Sequence, residues 1–180
     1  MDDKRLIRKL NRGSREALRR IHDKYRDDLV RIAAGLLRDL HTAEDVVQEV
    51  FLKLIHNCGR YEVKKNLRGY LTTCVVNRVR SLHQSGRLRK AACLDEVTEP
   101  VSGCGGPEAE LLCDEVYRRL YEAIATLPYE QKEALILHCQ GRMKFKEIAR
   151  LQETTTQTAI SRYHYGLKKL RSLLNGEADT

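Results

Sequence analysis

The sequence predicts an all-α protein: two small helical domains joined by a flexible acidic linker, the C-terminal one a helix-turn-helix. Three observations carry this. Apolar residues recur at three- and four-residue steps along most of the 180 residues, and period-two alternation is sustained nowhere. Over residues 91–107 the periodicity stops, and that stretch holds two of the three prolines and three of the eleven glycines, with acids and no bases. Further on, a short helical segment, a polar turn and a longer helix rich in Thr, Gln, Ser, Arg, Tyr and Lys follow one another. The expected division is a helical domain over 1–90, a linker over 91–108 and a helix-turn-helix domain over 109–180.

The N-terminal domain reads as three long helices. Leu18, Ile21, Tyr25, Leu29, Ile32 or Ala33, and Leu36 mark one face of a helix over about 14–38. Ser14 is its expected N-cap, since a hydroxyl accepts an otherwise unpaired N–H of the first turn. A second helix is expected from Thr42, where Thr42-Ala43-Glu44-Asp45 fits a capping box. Its stripe is Val46, Val47, Val50, Phe51, Leu54 and Ile55, and it stops near Cys58-Gly59. Asn66 can cap a third, with Leu67, Tyr70 or Leu71, Cys74 or Val75, Val79 and Leu82 as its apolar face.

In the C-terminal domain helical pattern resumes near Ala109 and runs to Leu127-Pro128. Another helix is expected from Tyr129 to Cys139, broken by Gly141, then a short one over Phe145 to Leu151. A polar turn from Gln152 leads to a longer helix ending near Leu174, capped by Thr155 or Thr156. Its expected buried stripe is Ile160, Tyr163, Leu167, Leu170 and Leu174.

Composition removes several classes of function. The longest near-continuous apolar run, residues 32–37, is far short of the ~20 residues a membrane helix needs. No signal peptide is visible after Met1, which predicts a cytoplasmic location and no membrane association. The six cysteines (58, 74, 93, 104, 113 and 139) show no CxxC pair and no zinc-finger spacing, so no metal or cofactor is expected. A thiol or zinc sensor is the alternative reading of those cysteines. Gly103-Cys104-Gly105-Gly106 lacks the third spaced glycine of a phosphate loop, and no hydrolase or metalloprotease motif is present, so no enzyme is expected.

The net charge of +8 is unevenly spread. Residues 60–90 hold nine bases and one acid, residues 91–117 no base and seven acids, and residues 140–172 eight bases and two acids. Two basic islands around an acidic connector point to a polyanion contacted at two places. On the Thr42 helix, Glu44, Asp45, Gln48, Glu49 and Lys53 lie outside the apolar stripe. An acidic patch in a basic chain suits a basic protein partner. The third helix carries Arg68, Arg78 and Arg80, followed by Arg87, Arg89 and Lys90, with Tyr61 and Tyr70 interleaved. Arginines among aromatics suit single-stranded nucleic acid, whose bases stack on rings while phosphates meet guanidinium groups. On the last helix Gln157, Thr158, Ser161, Arg162 and Tyr165 lie opposite Leu167 and Leu170, and Lys168, Lys169 and Arg171 add charge. Such side chains suit base edges and phosphates of a major groove.

These segments resemble one family. Thr42-Ala-Glu-Asp-Val-Val-Gln-Glu-Val-Phe-Leu-Lys-Leu-Ile resembles the core-polymerase-binding helix of bacterial sigma factors of the small extracytoplasmic-function (ECF) group. Leu67-Arg-Gly-Tyr-Leu-Thr-Thr-Cys-Val-Val-Asn-Arg-Val-Arg-Ser-Leu resembles the region that melts and reads the minus-ten promoter element. Leu127-Pro-Tyr-Glu-Gln-Lys-Glu-Ala-Leu, Phe145-Lys-Glu-Ile-Ala and Ser161-Arg-Tyr-His-Tyr-Gly-Leu-Lys-Lys-Leu resemble the domain that binds the minus-thirty-five element. The resemblance implies a non-enzymatic subunit that joins core RNA polymerase, directs it to promoters and helps open the DNA. It implies that Asp45, Gln48 and Glu49 face the polymerase. The loop 60–66, including Arg60, Tyr61 and Asn66, with Asn77, Arg78 and Arg80 beside it, would hold the melted minus-ten strand. Thr156, Gln157, Thr158, Ser161, Arg162, Tyr165 and Lys168 would read the upstream duplex. An anti-sigma factor is the further partner implied. Three positions depart from the family pattern: Lys144 where Ser or Thr usually caps, Glu153 where the turn usually has Gly, and Ile160 where Lys is frequent. The main competing reading is a self-sufficient helix-turn-helix repressor or activator.

Overall fold

Helix caps and one glycine set the course of the N-terminal unit. The computed structural model describes residues 3–58, 66–85 and 119–175. It divides the chain into two units, Met1–Leu94 and Asp95–Thr180; the linker expected over 91–108 lies outside the described residues. A short helix α1 (Asp3–Asn11), additional to those the periodicity predicts, buries Leu6, Ile7 and Leu10. Gly13 follows at φ +80, a left-handed turn that glycine adopts without steric cost. Ser14 then caps α2 (Arg15–Leu37), its side chain accepting from the Ala17 N–H at 3.3 Å.

α2 ends at Arg38, at φ 63. That tight reversal changes where the next helix begins. α3 (Leu40–His56) starts two residues before Thr42, and its N-cap is Asp39, whose carboxylate accepts from the His41 N–H at 3.0 Å. Thr42 is inside the helix and donates its hydroxyl to Asp39 instead of capping. α4 (Leu67–Gln84) has Asn66 at the N-cap position, but the Asn66 side chain makes no capping bond. The open choices on α4 resolve to Leu71 and Val75, both fully buried, with Tyr70 and Cys74 half-buried. α2 packs on α1, α3 and α4, and α3 on α4.

Polar links cross these seams. Arg26 meets Glu44 at 2.7 Å between α2 and α3, and Arg68 meets Asp28 at 3.0 Å between α4 and α2. Asp3 accepts from Lys24 at 2.6 Å and from the Tyr25 hydroxyl at 2.7 Å, which ties α1 to α2.

In the C-terminal unit, helical residues 119–125 lead to Pro128 and α5 (Tyr129–Cys139), followed by α6 (Phe145–Leu151) and α7 (Thr156–Asn175). No strand occurs among the described residues. Gly141 follows α5 where an added Cβ would lie 2.6 Å from the Leu137 carbonyl oxygen, too close for any larger residue. α7 packs on α5 and α6 through Ala159, Gly166 and Leu170. The stripe expected there is corrected accordingly: Ile160, Tyr163 and Leu167 are half-buried and Leu174 is 46% exposed. Small residues let the helices approach, so a Cβ at Gly166 would sit 3.4 Å from the Gln131 carbonyl, and larger side chains flank the seam. The 20 residues of α7 span ~30 Å against ~16 Å for the 11 of α5, so the last turns of α7 extend past α5.

Two measurements follow. Burial alone would raise the Asp3 pKa, but hydrogen bonds from Lys24 and Tyr25 and the Lys24 charge outweigh it and hold the carboxyl below its ordinary 3.8. A carboxyl lowered in the folded state stabilises above its unfolded pKa and stops doing so as pH falls through the folded one. Docking of α1 is therefore expected to be intact at neutral pH and to weaken below 3.8. Hydrogen exchange of the α1 amides should show this, and Asp3→Asn should remove the acid dependence. Glu153, between α6 and α7, has φ 51, where a Cβ costs ~1–2 kcal/mol. Glu153→Gly is expected to raise the C-terminal unit's melting temperature and Glu153→Val to lower it, measured by thermal unfolding.

Candidate functional site

One exposed ridge runs along the outward face of α3. Asp45, Gln48, Leu52 and Ile55 follow at steps of three, four and three residues, and all are exposed. Leu52 is 56% and Ile55 43% exposed, so the expectation that Ile55 is buried is corrected: the seam closes on Leu54, and the next residue turns about 100° away. Asp45 and Gln48 sit where the sequence places them. Glu49 does not join them: it is half-buried and receives Arg78 from α4, with Nη2 at 2.8 Å from Oε1 and Nε at 2.6 Å from Oε2. Two residues assigned to different partners are thus paired with each other. Reading the ridge outward from Asp45 at helical steps finds Leu52, a member that a search for acids passes over.

Between α3 and α4 lies an open cavity of about 300 Å³. Lys53, Asn57, Tyr70, Cys74, Asn77 and Arg78 line it, so it offers two cations, two amides and a phenol ring. Asn77 is exposed and Arg80 half-buried. Burial pushes the Cys74 thiol up, against a hydrogen bond with Tyr70 and the Lys53 charge, so at neutral pH it is a protonated wall of the cavity. Asn66 is exposed at the start of α4, whereas Arg60 and Tyr61 lie outside the described residues. Arg68, grouped with the basic face by sequence, is directed to Asp28 on α2.

The helix-turn-helix is built by its polar turn. Lys144 at the N-cap of α6 supplies no side-chain acceptor, and Glu147 reaches back to accept from the Lys144 N–H at 2.9 Å. His138 of α5 stacks on Phe145, ring centroids 4.2 Å apart, and lies 3.0 Å from the Met143 carbonyl through Nδ1, which fixes the start of α6. Thr155, not Thr156, caps α7, accepting from the Thr158 N–H at 3.1 Å. The Thr158 hydroxyl pairs with that of Thr155 at 2.8 Å, so Thr158 is part of the cap. Gln157, Ser161, Tyr165 and Lys168 form one ridge, with Gln157 and Lys168 exposed, Tyr165 66% exposed and Ser161 half-buried. Thr156 is exposed beside it, and Ile160, at the departing position, is half-buried. Arg162 is half-buried and donates from Nη1 to Gln152 Oε1 at 2.9 Å. Gln152 Nε2 in turn lies 2.9 Å from a carboxylate oxygen of Glu133, which is only 1% exposed. Gln152 and Glu133 carry no local signal in the sequence, because a turn glutamine and an acid that follows Glu130, Gln131 and Lys132 look like ordinary solvent-facing groups.

Among the described residues, no group of three metal-ligating side chains comes together, and no helix is long and apolar enough to cross a membrane.

Comparison with known proteins follows these two surfaces. Residues 21–91 match sigma-70 region 2, which takes in α3 and α4, and residues 117–170 match sigma-70 region 4, which takes in the helix-turn-helix. The ECF RNA polymerase sigma factor SigW of Bacillus subtilis is 22% identical over 179 residues, covering 95% of this chain and 96% of that protein. The RNA polymerase sigma factor CarQ of Myxococcus xanthus is 27% identical over 163 residues, covering 90% and 91%. Among solved structures, CnrH in complex with the cytosolic domain of CnrY matches with TM-score 0.69 at 18% identity, over 98% of this chain and 99% of that one. Sigma factor RpoE in complex with the anti-sigma factor NepR, from Bartonella quintana, matches with TM-score 0.67 at 20% identity, over 90% and 98%. With both family regions matched in order, together over more than half of the 180 residues, and with relatives similar end to end, the chain belongs to the sigma-70 family, in its extracytoplasmic-function group.

Proposed function

We propose that this chain is a cytoplasmic, non-enzymatic initiation subunit that binds core RNA polymerase, brings it to a two-part promoter and promotes DNA opening. One observation carries the reading: a ridge of exposed Asp45, Gln48, Leu52 and Ile55 lies on α3, while the exposed polar side chains Gln157, Tyr165 and Lys168 line α7 in the other unit. Asp45 and Gln48 supply charge and hydrogen bonding to a basic polymerase surface, and Leu52 and Ile55 supply the apolar contact. Glu49 contributes through Arg78, whose guanidinium it orients at the cavity wall. Tyr70, Asn77 and Arg78 give that cavity a ring, an amide and a cation, the set that holds an unstacked base and its phosphate. Arg60, Tyr61, Asn66 and Arg80 extend the same single-strand face by their place in the sequence.

On the upstream duplex, Thr156, Gln157, Ser161, Arg162 and Tyr165 reach the groove, Lys168 supplies phosphate charge, and Thr158 acts through the cap. An anti-sigma protein as partner is supported by the two similar structures, which are complexes of CnrH with CnrY and of RpoE with the anti-sigma factor NepR. A self-sufficient repressor has no use for the exposed α3 ridge.

Reversing a charge at a complementary interface costs several kcal/mol, whereas an exposed helix position tolerates the change. Asp45→Arg is expected to leave the melting temperature unchanged and to lower co-elution with core RNA polymerase and promoter-directed run-off transcription at least about tenfold. Unchanged co-elution and transcription would remove the α3 ridge from the polymerase interface.

A further inference from the structure

Gln152, in the turn between α6 and α7, has both polar atoms of its side chain engaged. Its Nε2 lies 2.9 Å from Glu133 Oε2 and 2.9 Å from the Glu130 carbonyl oxygen, so each of its two hydrogens has an acceptor. Its Oε1 accepts from Arg162 Nη1 at 2.9 Å. Rotating the amide by half a turn would set its oxygen against two acceptors and its NH₂ against a guanidinium donor, losing all three bonds. The amide therefore has one orientation. Glu133, 1% exposed on α5, anchors the far end of the chain inside the packed unit.

At the near end stands Arg162, half-buried on α7 beside the ridge of Gln157, Ser161 and Tyr165. A guanidinium has five N–H donors, and Gln152 takes one of those on Nη1. The edge formed by Nε and Nη2 is left for a second, two-point contact. An unbraced arginine samples many rotamers, and a two-point contact to a base edge requires one of them.

We propose that Gln152, backed by the buried Glu133, is a positioning residue for sequence-specific DNA reading. It holds the Arg162 guanidinium in a single pose that presents its remaining edge to the two acceptors of a guanine in the major groove. This rests on the reading of α7 as the recognition helix. The residue that sets discrimination at one base pair then lies outside that helix, in the turn and on α5.

The test uses the full-length chain and a pool of randomised duplexes, from which the tightest-binding sequence is selected. Binding of each variant to that duplex, to its single-base variants and to a scrambled duplex is measured at fixed salt, with melting temperatures alongside. Arg162→Ala and Gln152→Ala are both expected to lose about tenfold on the selected duplex, at the same base pair. Gln152→Ala keeps the arginine charge, so its binding to the scrambled duplex and its salt slope should stay at wild-type values. Glu133→Gln, which retains an acceptor for Gln152, should keep discrimination close to wild type. If Gln152→Ala lowers the melting temperature, Gln152→Met, similar in length and lacking the amide, carries the same expectation. The proposal is overturned if the Gln152 variants weaken selected and scrambled duplexes equally, or change neither, while Arg162→Ala still loses discrimination. Should Arg162→Ala lose none, or the pool yield no preferred sequence, the recognition-helix reading falls with it.

Discussion

The aliphatic seam where α2 meets α3 and α4 is what the N-terminal unit depends on. With no Trp and two Phe in the chain, that seam is built from Ile21, Leu29, Ile32 and Leu36 of α2, Val46 of α3, and Leu67, Leu71, Val75 and Val79 of α4, none more than 1% exposed. Each such side chain contributes ~1.5–3 kcal/mol on burial, but apolar burial has no direction and does not by itself choose a register. Register comes from the polar links across the seams, Arg26 to Glu44, Arg68 to Asp28 and Arg78 to Glu49. These pairs are partly exposed, so they add little net stability, yet each reaches its partner at only one alignment of the helices.

The same links decide which charges remain for function. Sequence alone assigns Glu49 to a protein partner and Arg78 to nucleic acid; the structure spends each on the other. The face of α3 is consequently less acidic than its composition states and more apolar, through Leu52 and Ile55. On α4, Arg78 enters the cavity wall already oriented by a carboxylate. The Glu49–Arg78 ion pair joins the two faces of the unit, so a partner that engaged Glu49 would also act on the residue proposed to meet single-stranded DNA.

Helix positions were legible because a 3.6-residue period depends only on neighbours along the chain: α2, α5, α6 and α7 lie close to where apolar spacing puts them. What was not legible depends on turns and on contacts distant in sequence. Thr42 reads as a cap, but the left-handed Arg38 turns the chain early and hands that role to Asp39. The α7 stripe reads as its large apolar residues, but the helices meet at Ala159 and Gly166 because small residues permit approach. Glu153 departs from the family's glycine and still takes the left-handed conformation the turn demands. Arg162 stands out in the sequence, whereas its support, Gln152 and Glu133, is assembled only by folding.

One chain thus supplies polymerase with promoter choice through two separate contacts. Adding the full-length chain to core RNA polymerase on a library of genomic fragments, and mapping every RNA 5′ end, tests that claim most directly. New starts that need the chain and lie at a constant distance downstream of a shared two-part sequence are expected. Starts that are the same with and without the chain would contradict the claim.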